Sequence, residues 1–291
     1  MCNPAKRPLR TAGLACLTAL AGSACAAASA PASSHELPSG PPPVIRTLLP
    51  IASGASEQVS AQAGFVPYKL GASASISFDF RIQSPPHTVP QPLIDIALAL
   101  PDELGAATSQ LGLANCTAND FYEYGLGGCP PNSLLGRATA TATVPIGPEL
   151  ISEQVHIGLT ATASEGNNLE ILYAAEGLTP VFSMLVFRGE IVEANPPYGE
   201  EINTFIPPIE TLPEAPYASV VSMRSTIGPQ GITYYRRSHG HKIAYQPQGI
   251  DLPARCPHGG FRFAATFTFL DQATKLIHIT VPCPPAGRNG I

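Results

Sequence analysis

Two histidines near position 240 have a spacing that could support metal chemistry. His239 and His241 are separated by one residue, so in an extended segment both imidazoles would lie on one side. A metal site would also need a carboxylate from elsewhere in the chain, such as Asp251. The alternative is an exposed polar turn, and no third ligand can be identified from the spacing. We therefore predict no metal and no cofactor, and keep both histidines as candidate binding residues.

The segment 234–237, with the sequence YYRR, lies directly before these histidines. Aromatic and cationic side chains are favoured in binding surfaces because they bury a large area and still offer hydrogen bonds and charge. The alternative is tyrosines packed on a sheet beside solvated arginines. We predict 234–242 as a contact surface, with four binding residues: Tyr234, Arg236, His239 and His241.

The sequence lacks the usual signatures of hydrolytic enzymes. No G-x-S-x-G motif occurs, and the Gly-rich stretch 125–128 precedes a cysteine instead of opening a helix. Glu200 and Glu201 follow a Pro-Pro-Tyr-Gly stretch, which predicts a loop with solvated carboxylates. We predict no catalytic residue. An extracellular hydrolase stays the alternative, because paired carboxylates come together only in the fold.

Four cysteines follow the first thirty residues: Cys116, Cys129, Cys256 and Cys283. An even number in an exported chain indicates disulfides, although four cysteines allow three connectivities. We predict the local pairs, Cys116–Cys129 and Cys256–Cys283, because each pair brackets a compact segment. Each closed loop would contribute roughly 3 kcal/mol of stability. Zinc is the alternative, but the spacing has no C-x-x-C cluster.

Residues 1–30 have the three-part pattern of a secretory signal peptide. Lys6, Arg7 and Arg10 form a positive segment, 12–21 are apolar, and 28–30 fit the A-x-A cleavage pattern. The alternative is a membrane anchor, but the apolar stretch is shorter than the roughly 20 residues that a spanning helix needs. The pattern predicts export to the cell surface or the extracellular space.

The remaining chain is expected to be a tether followed by one folded domain. Residues 31–50 are rich in proline and serine, and 51–291 form the domain. A lipid anchor at Cys16 or Cys25 is an alternative, although each has glycine three places earlier, where an aliphatic residue is usual. The net charge of −5 argues against nucleic-acid binding. The expected partner is a cell-envelope polymer or another exported protein.

Hydrophobic residues in the domain recur with the period of two that is typical of β-strands. In 72–82 every even position is apolar and every odd position is polar. In 138–144 alanine alternates with threonine, which predicts an alanine face packed closely on a neighbouring layer. The other predicted strands are 90–100, 169–173, 181–187, 218–223, 232–237, 242–246, 261–269 and 276–281.

These strands predict an all-β fold with few short helices. The expected architecture is an antiparallel β-sandwich, immunoglobulin-like in outline, with a subdomain or insertion near 145–215. One helix is predicted at 118–124, with Thr117 as its N-cap and Asp120 at the capping-box position.

One segment resembles a module of known exported proteins. It comprises LP at 100–101, LG at 104–105, CTA at 116–118 and CPPNSLLG at 129–136, followed by a Thr/Ala/Val strand. This pattern resembles that of uncharacterised exported β-sandwich proteins of high-GC Gram-positive bacteria. The segments RCPHGGF at 255–261 and VPCP at 281–284 recur in similar chains. The resemblance implies an extracytoplasmic β-module with local disulfides, and it supplies no activity or catalytic residue.

The sequence thus predicts a secreted or surface-associated protein that binds a ligand or has a structural role. The alternative is a hydrolase that acts on wall polymer or another secreted substrate. A third hypothesis is a subunit that is active only with a partner. A binding protein leaves its target intact, whereas a hydrolase releases product.

Overall fold

The computed structural model describes residues 49–105, 110–163, 169–179, 182–211 and 215–284. The expected signal peptide and nearly all of the tether lie outside these residues. The described chain consists mainly of antiparallel β-strands with a short α-helix, so the predicted all-β class is confirmed.

The strands are numbered in chain order. They are β1 (Gln58–Val66), β2 (Ser73–Gln83), β3 (Leu93–Pro101), β4 (Leu134–Ile146), β5 (Glu149–Ala163), β6 (Leu169–Thr179), β7 (Ser183–Glu193), β8 (Tyr198–Phe205), β9 (Ser219–Ile227), β10 (Tyr234–Ser238), β11 (His241–Tyr245), β12 (Ile250–Asp251), β13 (Phe261–Phe269) and β14 (Thr274–Val281). Short 3-10 turns in the described ranges are Gly54–Ser56, Gly125–Gly128 and Pro131–Ser133.

Most of these strands form one twelve-stranded sheet. Its order is β1-β2-β9-β4-β5-β6-β7-β8-β3-β13-β14, with β12 added to β2, while β10 and β11 form a separate hairpin. The edge strands β1 and β14 approach each other, so the sheet nearly closes on itself. The hydrogen-bonded strands therefore form one continuous sheet, whereas the predicted sandwich would consist of two separate sheets. Strand twist curls a long sheet, and closure protects both of its edges.

Side-chain hydrogen bonds connect the two sides of the open seam. The Tyr68 hydroxyl, after β1, donates to the carbonyl of Pro282, after β14. Near the other end of the seam, Lys275 Nζ donates to the Ala55 carbonyl at 2.7 Å. These bonds join chain segments more than 200 residues apart, so the closed form depends on long-range contacts.

The region 145–215, where a subdomain or insertion was expected, supplies β5 to β8. These strands are consecutive members of the main sheet and pair with β4 on one side and β3 on the other. Glu200 and Glu201 lie in β8, so the prediction that they occupy a loop is wrong. Pairing with β7 and β3 keeps this polar stretch extended despite its low strand propensity.

Both predicted disulfides are present. The Cα atoms of Cys116 and Cys129 are 5.1 Å apart, and those of Cys256 and Cys283 are 5.8 Å apart. The first disulfide is buried against Leu172 on the outer face of β6. The second links the segments that flank the β13–β14 hairpin, so it fixes the end of that hairpin opposite its turn.

The predicted helix is confirmed as α1 (Ala118–Tyr124). The Thr117 hydroxyl accepts a hydrogen bond from the Asp120 amide at 3.2 Å, and the Asp120 carboxylate accepts one from the Thr117 amide at 2.9 Å. This capping box satisfies exposed amides of the first turn, and its hydrogen bonds lower the pKa of Asp120. In the described part of the chain, no helix has the length and apolarity needed to cross a bilayer.

One half of the sheet interior is filled by aromatic side chains. Their rings come mainly from β1, β2 and β13, and they pack edge to face, as for Phe80 and Phe267 with centroids 5.1 Å apart. The fully buried members of this group include Phe261, Phe263, Phe267 and Phe269. The inward positions of β13 carry phenylalanine almost throughout, which explains the tight packing on this side.

We expect Phe267→Ala to lower the free energy of unfolding by roughly 3–5 kcal/mol, because it removes a completely buried ring from this packed half. Leu276→Ala on the outer face of β14 is the control, since Leu276 is 55% exposed and should change stability by about 0.5 kcal/mol or less. Urea denaturation of both variants measures the difference. Equal losses of unfolding free energy in the two variants would contradict the assignment of the packed core to this half.

Candidate binding cavity

The other half of the sheet interior contains a cavity of about 390 Å³. Its walls come from β2 to β9 and from the connection between β8 and β9, and most lining side chains are apolar. Small-molecule sites typically measure roughly 300–1,000 Å³ and have apolar walls with a few polar groups. The cavity therefore has the size and lining of a ligand-binding site.

Small inward residues create this space. Ala140 and Ala142 on β4 and Ala175 and Gly177 on β6 stand at positions where the other half of the sheet carries phenylalanine. We predicted that the alanine face of 138–144 packs closely on another layer; instead Ala140 and Ala142 face the cavity. In a closed sheet, strand number and tilt fix the interior width, so a small side chain leaves space that the opposite wall cannot move in to fill.

Unfilled space in a protein interior lowers stability, because the side chains around it lose apolar contacts. This loss increases with the volume of the unfilled space. An apolar ligand that occupied the cavity would recover part of this packing energy.

Tyr173 and Thr204 place a hydroxyl pair in the cavity wall. The Thr204 hydroxyl donates to the Tyr173 phenol oxygen at 3.1 Å, and the Tyr173 ring stacks on Phe187 with centroids 4.9 Å apart. Burial raises the pKa of Tyr173 to about 12, although the hydrogen bond from Thr204 opposes that shift. The phenol therefore stays neutral at ordinary pH and offers a ligand a hydroxyl group.

Glu153 is a buried carboxylate in the same wall. Its residue is 8% exposed, and its Oε1 accepts a hydrogen bond from the Ser183 hydroxyl at 3.1 Å. A Cβ atom at Gly177 would lie 2.0 Å from this Oε1, so the carboxylate crosses β6 over the glycine to reach β7. Glycine at this position is therefore required for the contact.

The charge of the cavity wall is entirely negative. The described lining residues include two carboxylates, Glu153 and the exposed Glu210, and no lysine, arginine or histidine. Ser183, which donates to Glu153, is exposed. Glu153 and Ser183 thus mark the end of the cavity that communicates with solvent.

Exposed apolar side chains lie at this end of the sheet. Ile146 and Leu150 flank the β4–β5 turn, and Leu178 and Phe182 flank the β6–β7 turn. Phe182 is 66% exposed. Of the four, Ile146 also lines the cavity. We call these four residues the apolar rim.

The first of the predicted binding residues, Tyr234, is a structural side chain. It is fully buried, its hydroxyl donates to the Leu134 carbonyl, and it accepts a hydrogen bond from the Gly112 amide at 2.8 Å. Burial raises the pKa of its phenol. Tyr234 therefore attaches the β10–β11 hairpin to the segment before β4.

The other three predicted binding residues lie at the surface of this hairpin. Arg236 is exposed, with its guanidinium carbon 5.5 Å from the centroid of the Tyr245 ring. His239 occupies the turn at φ +50°, and its Nδ1 is 3.1 Å from the Ser238 hydroxyl. His241 is exposed at the start of β11. Nowhere in the described ranges do three His, Cys, Asp or Glu side chains group as metal ligands.

The hydrolase alternative needs paired carboxylates, and one interacting pair lies on the outer face of the sheet. Burial raises the pKa of Asp95 on β3, and the charge of Glu201 on β8 adds to the shift. Their neighbours Ile96 and Ile202 line the cavity, so strand alternation directs both carboxylates away from it. The pair is therefore separate from the cavity.

The sequence analysis missed the cavity residues, although β5 carries a signal for one of them. Its inward positions Ile151, Val155, Ile157 and Leu159 are apolar, and Glu153 is the charged exception in that series. A charge on an apolar face indicates either a buried partner or a site. Strand register was needed to find Ser183 and Gly177 beside it.

We expect Tyr173 to make folding stability fall above about pH 10. The unfolded phenol ionises near its ordinary pKa of 10.0, whereas the folded phenol keeps its proton to about 12, so the folded state loses its advantage in this window. The loss should approach roughly 2–3 kcal/mol. Free energies of unfolding measured against pH should fall less steeply in Tyr173→Phe. If the unfolding free energy of the unsubstituted protein and of Tyr173→Phe changed equally with pH, burial of this phenol would be contradicted.

Comparison with known proteins supplies no relative for this fold and cavity. No family model, curated protein or solved structure matches the chain. The cavity geometry and its polar groups therefore provide the basis for a function.

Proposed function

We propose that the protein is an exported binding protein that holds an apolar or amphiphilic small molecule inside its sheet. The observation that carries this proposal is the cavity of about 390 Å³ with apolar walls. Burial of each methylene group of a ligand would contribute about 0.8 kcal/mol. A short alkyl chain would therefore bind with useful affinity without any catalytic group.

The apolar rim supports the same function. Ile146 belongs both to the rim and to the cavity wall, so the apolar surface continues from the outside into the interior. An apolar chain that leaves water could therefore contact Ile146 at the same end of the cavity as the polar pair Glu153 and Ser183.

Export is part of the proposal. The two disulfides suit an oxidising compartment, and the N-terminal pattern at 1–30 is that of a signal peptide. Outside the cell, a molecule with an apolar body has low solubility in water, and a protein that encloses it would store or carry it. The predicted contact surface at 234–242, for an envelope polymer or another exported protein, stays a prediction.

We expect the protein to bind Nile red, an uncharged apolar dye, in a saturable manner, and dodecanol to displace it. Ala140→Phe should weaken both affinities about tenfold or more, because the ring takes the volume of at least two ligand methylenes. Fluorescence titration measures the dye, and competition measures the alcohol. Since the ring enters existing space, stability should not fall.

Thr139→Phe is the matched control, because Thr139 is exposed on the opposite face of the same strand. It should leave both affinities unchanged. Absence of saturable dye binding, or equal weakening by the two variants, would refute cavity binding. Release of sugar or peptide from isolated envelope by the same protein would favour the hydrolase alternative.

A further inference from the structure

We infer that the ligand is an amphiphile with a primary amine head group, which the Glu153 carboxylate holds at the mouth of the cavity. This inference rests on the proposed function and specifies its ligand class. The apolar walls would take the alkyl body, and the buried carboxylate would take the cationic head. Anionic amphiphiles such as fatty acids should bind more weakly, because the cavity wall is negatively charged.

The solvation of Glu153 is the first argument. Removing a carboxylate from water costs several kcal/mol unless hydrogen bonds and an opposite charge compensate. Glu153 is 8% exposed, its Oε1 accepts a hydrogen bond from Ser183, and its Oε2 is not among the fully buried unpaired oxygens of the described residues. The ion pairs among the described residues are Arg188–Glu170 and Arg224–Asp79, and neither involves Glu153. A ligand that expels water from the cavity would have to compensate this carboxylate, and an ammonium group would supply the positive charge.

The position of the carboxylate is the second argument. Gly177 has no Cβ, and this lets the Glu153 side chain lie across β6 with its Oε1 against Ser183. The Ser183 hydroxyl donates to Oε1, and this orients the carboxylate so that Oε2 is the remaining acceptor. A primary ammonium has three N–H donors and forms short, charge-assisted bonds to such an oxygen.

The surroundings of the head-group site are the third argument. Glu210 on the cavity wall adds a second negative charge, and the described lining offers no cationic side chain to neutralise a carboxylate ligand. A fatty acid head at this mouth would therefore meet two negative charges and no compensating positive charge among the described lining residues. An alcohol would meet neither strong attraction nor repulsion, so affinity should decrease from amine to alcohol to carboxylate.

Dodecylamine, dodecanol and dodecanoate, which share one alkyl chain, test this order by displacement of Nile red below their micelle concentrations. A charge-assisted hydrogen bond contributes roughly 1.5–3 kcal/mol, so the amine should bind roughly 10- to 100-fold more tightly than the alcohol. Dodecanoate should bind more weakly than the alcohol. Glu153→Gln should remove most of the amine preference and leave dodecanol affinity unchanged.

Two further variants test whether the Glu153 carboxylate is responsible for the amine preference. Gly177→Ala keeps the charge but places a Cβ 2.0 Å from the present position of Oε1, which displaces the carboxylate and should also reduce the amine preference. Glu190→Gln removes one charge from an exposed position on β7 and should not change it. Circular dichroism of each variant verifies its fold.

The outcomes separate this inference from the function on which it rests. If none of the three amphiphiles displaces the dye, the proposed function fails and the inference fails with it. If they bind with equal affinity, or dodecanoate binds best, cavity binding stands and the amine head group is refuted. An amine preference that survives in Glu153→Gln would also overturn the role of this carboxylate.

Discussion

Closure of one continuous antiparallel sheet is the constraint on which the rest of this structure depends. In a closed sheet, the number and tilt of the strands set the interior width, and the side chains must fill whatever width results. Each inward position therefore decides between a packed core and a cavity. The interior is divided accordingly: the phenylalanines of β13 fill one side, whereas Ala140, Ala142, Ala175 and Gly177 leave space on the other.

This division lets one domain combine stability with a site. The aromatic half, together with the hydrogen bonds across the seam, supplies the packing and contacts that keep the sheet closed. The small-residue half has fewer packing contacts, because its side chains line the cavity. Function on a rigid scaffold commonly has this cost, because a site preformed for its ligand is incompletely packed without it.

Polar groups inside the apolar half carry the specificity. Thr204 donates a hydrogen bond to Tyr173, which offsets part of the cost of burying these hydroxyls in the wall. Glu153 has a hydroxyl partner and no protein cation among the described residues. Hydrogen-bonded polar pairs support the fold, whereas a carboxylate without a cationic partner indicates the charge that a ligand could supply.

The sequence alone determined the local features of this protein. Period-two patterns fix which residues share a face, a Thr-x-x-Asp pattern caps a helix, and cysteines that bracket short segments pair with each other. Each of these depends on residues close in the chain, so the all-β class, α1 and both disulfides could be predicted. The weakly patterned β1 and the polar β8 could not, because their extended form comes from pairing with neighbouring strands, β2 for β1 and both β7 and the distant β3 for β8.

Tertiary structure decided everything that depends on closure. The alanine face of 138–144 is compatible with tight layer packing or with a cavity, and only the width of the closed sheet selects the cavity. The contact of Glu153 with Ser183 across Gly177 depends on the register of three strands, which a one-residue shift would destroy. Tyrosine is common in binding surfaces, yet Tyr234 is buried and its hydroxyl forms hydrogen bonds with residues distant in the chain. Its role is therefore structural. Sequence fixes the direction of each side chain within its strand, and the assembled sheet determines what that side chain meets.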